Sequence, residues 1–264
     1  MTDKYVDFYI NYNPEFSNVE KIKNTVFCTS RFLAFPDFNF ALTVSGKPDI
    51  KQIETYFKNL NKKPTIYEID EQFADCKDVL KNYKPAWKDS WLAYEDIGKL
   101  KKKFKFFKDS TDITLEALSE SNFKDWDKTN KKGFGQDSPY EVVDLGVNGG
   151  YCGMVWDSYT KRLRGNVFVY LIKFKEQFAG AVTLSVKDDI CFMCGFTILP
   201  EYRKTKVLLV LIKILDLLLK KKVKTIFCNT AEGGYPEKLY KHMGLTKIHS
   251  VNIYKKEENA GADK

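Results

Sequence analysis

The sequence is poor in the residues that most often build metal sites and disulfide frameworks. Its 264 residues include only two histidines, His242 and His249, and six cysteines at irregular spacing. Cys191 and Cys194 form a C-x-x-C pair, but side chains three residues apart in a strand point to opposite faces. The chain has no second pair of this kind to complete a zinc site. We therefore expect no metal, and reduced, buried thiols rather than disulfides.

Long apolar runs are also missing. The chain opens with MTDKYVDF, which contains no apolar signal region. The longest apolar stretch, residues 207–212, ends at Lys213 and is far shorter than the ~20 residues needed to cross a bilayer. A G-x-S-x-G turn is absent as well, which argues against Ser–His–Asp hydrolysis. These absences predict a cytoplasmic protein with no membrane partner.

The charge is positive but not concentrated in one segment. Lys and Arg number 43 against 35 Asp and Glu, which gives a net charge of +8 at pH 7. The excess is spread along the chain, whereas a nucleic-acid-binding arm would show a basic block with few acidic residues. The distribution therefore argues against nucleic acid as a partner. By net charge alone, an anionic membrane surface and a small ligand that carries phosphates are further candidates.

The first part of the chain has the composition and periodicity of a separate unit. Hydrophobic residues make up 44% of the sequence, with 20 Phe and 15 Tyr, enough for two cores. The predicted elements of this unit are helices over residues 18–25, 49–59 and 72–82, and strands over residues 38–44, 64–69 and 88–94. The chain therefore divides into residues 1–110 and residues 111–264.

In the second part of the chain, loop and turn residues mark the boundaries of the elements more clearly. A glycine-rich stretch over residues 128–153 predicts a loop, and three closely spaced strands after it favour an antiparallel meander. The predicted elements are strands over residues 166–173, 178–186, 190–198, 225–228 and 247–255, and helices over residues 203–222 and 236–243.

This order, β-β-β-α-β-α-β, predicts an α+β fold with a mixed, mostly antiparallel sheet flanked by helices. A strand, a helix and a second strand in one sheet form a right-handed parallel crossover. Ligands of such crossovers bind at the carboxyl ends of the strands, against helix N-termini. The long helix begins near Arg203, with Lys204 and Lys206 beside it. Basic residues are unfavourable in a first helical turn unless an anion is bound, and a diphosphate would suit this position. The alternative is an ordinary amphipathic helix that starts with basic residues.

Two segments resemble motifs of the GNAT superfamily of N-acetyltransferases. The family pattern joins an apolar strand to V-x-P-x-x-R/Q-x-x-G-x-G/A, a long helix, a short strand and a second helix that ends in L-Y-x-x-x-G-F. Ile198-Leu-Pro-Glu-Tyr-Arg203 is similar to the first half of the first motif, and Leu239-Tyr-Lys-His-Met-Gly-Leu245 to the second. The resemblance covers about residues 166–256, and its implied fold is the GNAT acyltransferase fold. The layout of residues 1–110 is similar to a degenerate first copy of that fold without a cofactor.

The resemblance implies acyl transfer from acetyl-CoA to an amine in a ternary complex, with no metal. Tyr240 is the implied general acid for the departing thiolate, a role that a phenol with a pKa of about 10 can fill. Asn229 is implied to contact pantetheine. The other implied contacts are the backbone of Phe196, Thr197 and Ile198 for pantetheine, and Arg203, Lys204, Thr205, Lys206, Val207 and Leu208 for the diphosphate. The acceptor is open between a small-molecule amine and a peptide amine.

The sequence departs from the family at the diphosphate motif. Lys206 and Leu208 stand where the family has glycines, which let the backbone approach phosphate closely. This departure keeps a second interpretation open, a non-catalytic binding module that does not hold CoA. The general base is not identifiable. The nearby acidic residues Asp188, Asp189, Glu232 and Glu237 are interpreted as solvated turn or cap residues.

Overall fold

A computed structural model describes residues 3–33, 38–104, 112–135 and 150–256, with only the backbone of residues 75–77 and 204–208. The helices are α1 (Lys4–Tyr12), α2 (Ile50–Asn59), α3 (Ile97–Lys103), α4 (Phe123–Phe134), α5 (Gly150–Asp157), α6 (Arg203–Lys220) and α7 (Tyr235–Met243). The strands are β1 (Asn18–Ile22), β2 (Thr25–Thr29), β3 (Phe40–Thr43), β4 (Thr65–Ile69), β5 (Tyr83–Tyr94), β6 (Ile113–Ala117), β7 (Val167–Phe174), β8 (Gln177–Lys187), β9 (Ile190–Ile198), β10 (Thr225–Ala231) and β11 (Thr246–Lys256).

One sheet runs through the described residues, with helices on both faces. Its order is β1-β2-β3-β4-β11-β5-β10-β9-β8-β7-β6, with parallel pairing between β3 and β4 and between β9 and β10. Helices α2, α3, α6 and α7 pack on one face, and α1, α4 and α5 pack on the other. Within the described part of the chain, no helix combines the length and hydropathy needed to span a membrane.

The sheet contains an internal repeat that the sequence does not display. Strands β1, β2 and β3, helix α2 and strands β4 and β5 follow the same order as β7, β8 and β9, α6, β10 and β11. The last strand of each unit pairs with the other unit: β5 lies beside β10, and β11 lies beside β4. These two strands also pair with each other along their length. Each unit therefore completes the sheet of its partner.

The strands and helices predicted over residues 166–255 are confirmed. The three strands form the expected antiparallel meander, and β10 pairs with β9 in parallel after the crossover through α6. Helix α6 buries an apolar stripe that includes Leu211, Leu215 and Leu218. Helix α7 ends at Gly244, whose φ of 106° lies in the left-handed region that favours glycine.

The predicted helix over residues 18–25 is wrong. Its residues form β1, a turn and the first residue of β2, with Lys23 at a φ of 55° in the turn. Strand β2 is buried at every position between β1 and β3. Tertiary pairing of β1 with this buried strand outweighs the helical periodicity of a segment that short. Helix α1 was not predicted, and the helix expected over residues 72–82 is a 3₁₀ helix over Ala74–Leu80.

The glycine-rich loop expected over residues 128–153 is also partly wrong. Helix α4 continues through Gly133 to Phe134, and α5 begins at Gly150. Residues 136–149 lie outside the described residues. Gly133 is tolerated within α4 because the helix packs closely on β9: a Cβ there would lie 2.2 Å from the hydroxyl oxygen of Thr197.

Aromatic rings fill the centre of the core under α1. The ring centroids of Phe192 and Phe227 lie 4.9 Å apart, and those of Tyr9 and Trp91 lie 4.4 Å apart. Phe227 also meets Tyr5 and Phe8 of α1. These contacts tie the N-terminal helix to the two parallel strands β9 and β10.

We expect Phe227→Ala to lower the free energy of unfolding by about 3–5 kcal/mol, because it leaves a cavity among rings that cannot close over it. Phe227 is 0% exposed, whereas Tyr235 is 65% exposed and supplies a matched control. Tyr235→Ala should change stability by no more than about 0.5 kcal/mol. Urea denaturation of the two variants checks this, and equal losses would contradict the packing role of Phe227.

Candidate functional site

The parallel strands β9 and β10 diverge after a short paired start. They pair only at Thr225 with Ile190, Ile226 with Cys191 and Phe227 with Phe192. Beyond that point β9 continues along β8 to Ile198, and β10 continues along β5 to Ala231. The facing edges of the two strands are no longer paired with each other. They form a wedge, here called the β9–β10 wedge, at the carboxyl ends of two parallel strands, where ligands of α/β crossovers bind.

A β-bulge in β9 accounts for the divergence. Ala181 pairs with Thr197 and Thr183 with Cys194, so two residues of β9, Gly195 and Phe196, oppose the single Val182 of β8. Gly195 has a φ of 55°, a conformation that glycine adopts without a steric cost. Bulges bend the strand that contains the extra residue. The bend turns β9 away from β10 just after their last paired residues.

Helix α6 begins beside the wedge. Pro200–Tyr202 form a 3₁₀ turn, the amide of Arg203 donates to the carbonyl of Pro200, and no side chain caps the helix. The predicted diphosphate segment, residues 203–208, is therefore helical from its first residue. Helix geometry commits the amides from Lys206 onward to carbonyls one turn earlier. The amides of Lys204 and Thr205 therefore have no carbonyl partner within the helix.

The Arg203 side chain turns back toward the sheet. Its Nε donates to the carbonyl of Ile198 at 2.9 Å, and its Nη2 donates to the carbonyl of Gly133 at 2.7 Å. The guanidinium thus joins the end of β9 to α4 and fixes the start of α6. It adds positive charge near the helix N-terminus and also holds together the three elements that meet there.

The equivalent helix of the first unit is capped differently. Helix α2 follows β3 as α6 follows β9, and the Asp49 carboxylate accepts the amide of Gln52 at 3.0 Å. This cap places a negative charge at the N-terminus of α2, where it satisfies an amide and repels an anion. The N-terminus of α6 has no such carboxylate cap.

The remaining predicted residues line the wedge or the helices beside it. Ile198 packs in the core under α6, where the half-buried Phe196 also lies, and the buried Thr197 faces α4. Asn229 lies in β10, half-buried and two residues beyond the last pairing with β9. The end of β9 and the part of β10 that contains Asn229 thus both border the β9–β10 wedge.

Tyr240 comes from α7 and lies beside β10. It packs with Cys228 in the core under α6. Cys228 is one residue beyond the last pairing of β10 with β9. Burial raises the pKa of the Tyr240 phenol well above its usual value, and the neighbouring Cys228 adds to the shift. The phenol therefore keeps its proton at neutral pH, as a general acid must.

Glu237 corrects the expectation of a solvated cap residue. Its carboxylate is 3% exposed and accepts hydrogen bonds from the Ser90 hydroxyl at 2.7 Å and from the Gly233 amide at 2.5 Å. The Lys241 ammonium, 2.6 Å away, and then these hydrogen bonds lower the pKa of Glu237 to about 2. The hydrogen bond from Ser90 fastens α7 to β5, so the role of Glu237 is structural. Glu237 lies one turn before Lys241 and faces inward.

A second polar group at the bulge was missed in the sequence. Tyr151 of α5 places its hydroxyl oxygen 2.2 Å from the position that a Cβ on Gly195 would take. The negative charge of Glu15, in the turn after α1, acts on both Tyr151 and Cys194 and raises their pKa values beyond the larger effect of burial. No motif could reveal this grouping, because its members come from distant parts of the chain.

Among the described residues no metal cluster is found at the wedge. No three His, Cys, Asp or Glu side chains group as metal ligands there, and Cys191 and Cys194 pack in cores on opposite faces of the sheet. Two surface pockets of about 400 and 620 Å³ lie beside α2 instead, lined largely by its own residues and by lysines. The case for the wedge therefore rests on its strand geometry.

The fold is similar to solved structures of N-acetyltransferases. A GCN5-related N-acetyltransferase from Kribbella flavida aligns over 93% of this chain and 91% of its own, with a TM-score of 0.61 at 11% identity. A tandem GNAT protein from the clavulanic acid biosynthesis pathway aligns over 81% and 74%, with a TM-score of 0.58 at 8% identity. A functionally unknown conserved protein from Staphylococcus epidermidis aligns over 97% and 98%, with a TM-score of 0.66 at 14% identity.

These similarities establish the fold. The chain has the α+β GNAT fold, with a mixed sheet flanked by helices, and one similar structure is itself a tandem GNAT protein. The predicted fold class is confirmed, while the predicted division at residues 110 and 111 stays a prediction. No protein-family model matches the sequence, and no curated protein sequence matches it.

We expect Arg203→Met to lower the free energy of unfolding by about 1.5–3 kcal/mol, because two carbonyl groups lose a charged donor. Arg164, an exposed arginine in the turn before β7, gives the matched control. Arg164→Met should leave stability within about 0.5 kcal/mol of the original. Urea denaturation measures both, and an unchanged Arg203→Met midpoint would show that the two bonds do not hold the site.

Glu237→Gln should lower the free energy of unfolding by about 1–3 kcal/mol at neutral pH. The folded-state pKa of about 2 lies below the ordinary value of 4.5, so the carboxylate stabilises the fold above pH 4.5. This contribution is lost as the pH falls from 4.5 toward 2, and the variant should approach the original protein over that range. Urea denaturation at several pH values measures the difference, with the exposed Glu120→Gln as control; a difference that does not narrow in acid would contradict the assignment.

Proposed function

We propose that this protein is an acyl-CoA-dependent N-acyltransferase that transfers an acetyl group from acetyl-CoA to an amine. One observation carries the proposal: the wedge between two parallel strands opens beside a helix N-terminus that has no carboxylate cap. A long, thin acyl donor that ends in phosphates fits both parts of this arrangement. The GNAT fold of the chain supports the same reaction class.

The open edge of β9 is the proposed seat of the pantetheine arm. The backbone of Phe196, Thr197 and Ile198 lies beyond the last pairing with β10, so its hydrogen-bonding groups on that edge are available to an extended ligand. Pantetheine carries amides that can pair with a strand in this way. Asn229, across the wedge on β10, is proposed to hydrogen-bond the same arm.

The start of α6 is the proposed diphosphate site. The amides of Lys204 and Thr205 point toward an anion at the positive end of the helix dipole. Arg203 adds positive charge there, and the backbone of Lys206, Val207 and Leu208 continues the helix that aligns the dipole. The helical start leaves fewer amides for phosphate than a glycine-rich loop would, so we expect the diphosphate to lie farther out.

The residues around the wedge divide the chemistry of transfer between them. We propose that an amide of β9 near Phe196, in the bulge, stabilises the oxyanion that develops when an amine attacks the thioester carbonyl. Tyr240 donates its proton to the thiolate as the carbon–sulfur bond breaks. Its raised pKa keeps that proton in place until the negative charge forms.

The two units are proposed to differ in function. The second unit, residues 111–264, binds the acyl donor, whereas the first, residues 1–110, is a degenerate copy that binds no cofactor. The Asp49 carboxylate at the start of α2 supports this division, since it occupies the equivalent anion position. A small-molecule or peptide amine is the proposed acceptor. A cytoplasmic setting fits the buried free thiols of Cys28, Cys152, Cys191, Cys194 and Cys228.

We expect acetyl-CoA to raise the melting temperature of both the original protein and Tyr240→Phe, because the donor stabilises the state that it binds. Turnover, measured as thiol release with amine acceptors, should fall by about 100-fold or more in Tyr240→Phe, since the acid is removed. Tyr235→Phe, at an exposed tyrosine on the same helix, should keep both properties. Full turnover in Tyr240→Phe would contradict the assignment of the acid.

A second candidate function is a non-catalytic binding module. The helical start of α6 and the non-glycine residues Lys206 and Leu208 favour it, because both restrict the approach of a diphosphate. A melting temperature that does not change at millimolar acetyl-CoA, or with longer acyl-CoA compounds, would favour this candidate over acyl transfer.

A further inference from the structure

A basic depression, here called the α2 depression, lies beside α2 and is separate from the β9–β10 wedge. Its volume of about 620 Å³ falls within the range of about 300–1,000 Å³ that is usual for ligand pockets. Its lining includes five lysines and one glutamate, from α2, the turn after α2 and the last residue of β11. These residues are Lys51, Lys58, Lys62, Lys63, Lys256 and Glu54.

The carboxylate of the α2 depression is already engaged. Glu54 lies one turn after Lys51 and one turn before Lys58, so either lysine could pair with it on the helix surface. Its carboxylate turns toward the sheet instead, where it contacts the Lys256 ammonium at 2.8 Å and accepts a hydrogen bond from the Tyr83 hydroxyl at 3.3 Å. Within the described residues, Lys51 and Lys58 have no carboxylate partner.

The helix dipole explains only part of this arrangement. Lysines in the last turn of a helix offset its negative end, and Lys58 has that position in α2. Lys51 lies in the first turn, where a cation is unfavourable, and Lys256 comes from a strand. Ammonium groups from both ends of a helix and from a strand repel one another across the depression. A bound anion removes this cost.

Lys62 is the half-buried member of the five lysines. Its Nζ donates to the carbonyl of Ser30 at 2.7 Å and to that of Leu33 at 3.2 Å. Burial lowers the pKa of Lys62 from its usual value, because removal from water disfavours the charged form. An ammonium has three donors, so the two carbonyls leave one N–H for a further acceptor. The two hydrogen bonds hold this ammonium in place.

The side chains that line the α2 depression favour phosphate over other anions. Among its described lining residues none is aromatic and none is an arginine. A nucleobase therefore finds no ring to stack on, and a carboxylate finds no guanidinium that could bind it through two parallel hydrogen bonds. Lysine ammonium groups bind phosphate as point charges. Because the lysines surround one compact volume, the phosphates of the ligand must lie close together.

We propose that the α2 depression binds a compact polyphosphate, a small molecule in which two or more phosphates are linked in series. Lys51 and Lys58, about 10 Å apart along the helix axis, bind the two ends of the phosphate chain. Lys62 donates its remaining N–H to the same ligand. The first unit thus binds an anion beside α2, although Asp49 occupies the anion position at the N-terminus of that helix.

The first test is isothermal titration of the protein with sodium tripolyphosphate, in magnesium-free buffer at physiological ionic strength. We expect one-to-one binding, with an affinity at least about 10-fold higher than for orthophosphate or citrate. Citrate carries a similar charge on carboxylates, so equal affinity for citrate would overturn the assignment to phosphates. The absence of both a binding heat and a shift in melting temperature at millimolar tripolyphosphate would overturn the site itself.

The double variant Lys51→Gln/Lys58→Gln tests the assigned lysines. We expect its Kd for tripolyphosphate to rise by about 10-fold or more, because two charged donors are lost. Lys124→Gln/Lys128→Gln removes the same charge from two exposed lysines of α4 and is the matched control. Its Kd should stay within about twofold of the original. An equal loss in both double variants would mean that net charge alone attracts the anion, and would overturn the site.

Glu54→Gln provides a test of opposite sign. It removes the carboxylate from the α2 depression and releases the Lys256 ammonium that the carboxylate holds. We expect the Kd for tripolyphosphate to fall by about threefold or more, because a repulsive charge is lost and a cation is freed. A thermal melt confirms that the variant is folded. Unchanged or weaker binding by the folded variant would contradict the proposal.

A titration in the presence of millimolar acetyl-CoA separates this site from the proposed donor site. The affinity for tripolyphosphate should be unchanged, and Lys51→Gln/Lys58→Gln should keep any acetyl-CoA melting shift of the original protein. If acetyl-CoA displaces tripolyphosphate and the double variant loses that shift, the depression holds the acyl donor and a separate site is overturned. If the original protein shows no acetyl-CoA shift, the acyltransferase proposal fails, while tripolyphosphate binding still decides this one.

Discussion

The exchange of final strands between the two units is the interaction on which the rest of the structure depends. Strand β5 closes the sheet of the second unit beside β10, and β11 closes that of the first beside β4. Because β5 and β11 also pair with each other, neither unit presents an open edge at the centre. A single continuous sheet results, and the relative positions of the two units are set by backbone hydrogen bonds.

This exchange also creates the opening at the candidate site. Strand β10 is paired with β5 along its outer length, so it keeps its course when the bulge bends β9 away. Each strand keeps the pairing on its outer edge, so only the two facing edges lose their partners where the strands diverge. The wedge therefore depends on the pairing of β10 with β5, a strand of the first unit.

The first unit contributes directly to the packing of the second. Its helix α1 buries Tyr5, Phe8 and Tyr9 against the parallel strands of the other unit. The turn that follows α1 is then fastened to the second unit by hydrogen bonds from the Ser185 and Ser158 hydroxyls. The capping of α2 by Asp49 places a negative charge at the position where an anion would bind in the first unit.

The sequence by itself determined the part of the fold from β7 to β11, whereas β6, α4 and α5 were not predicted from it. Its meander, the two helices and the parallel crossover were readable because apolar periodicity, the short connections and Gly244 all act within a few residues of one another. The end of the strand before Pro200 and the helix that contains Tyr240 could be placed for the same reason. Local signals of this kind need no partner elsewhere in the chain.

Only the tertiary structure decided the rest. The segment over residues 18–25 has a helical pattern, but pairing with the buried β2 makes it a strand. The exchange of β5 and β11 between the two units cannot be recognised from the residues of either strand. The burial of Glu237 and the meeting of Glu15, Tyr151 and Gly195 depend on contacts across the chain. Sequence patterns record which face a residue occupies, whereas the identity of its neighbour is set by the packing of distant elements.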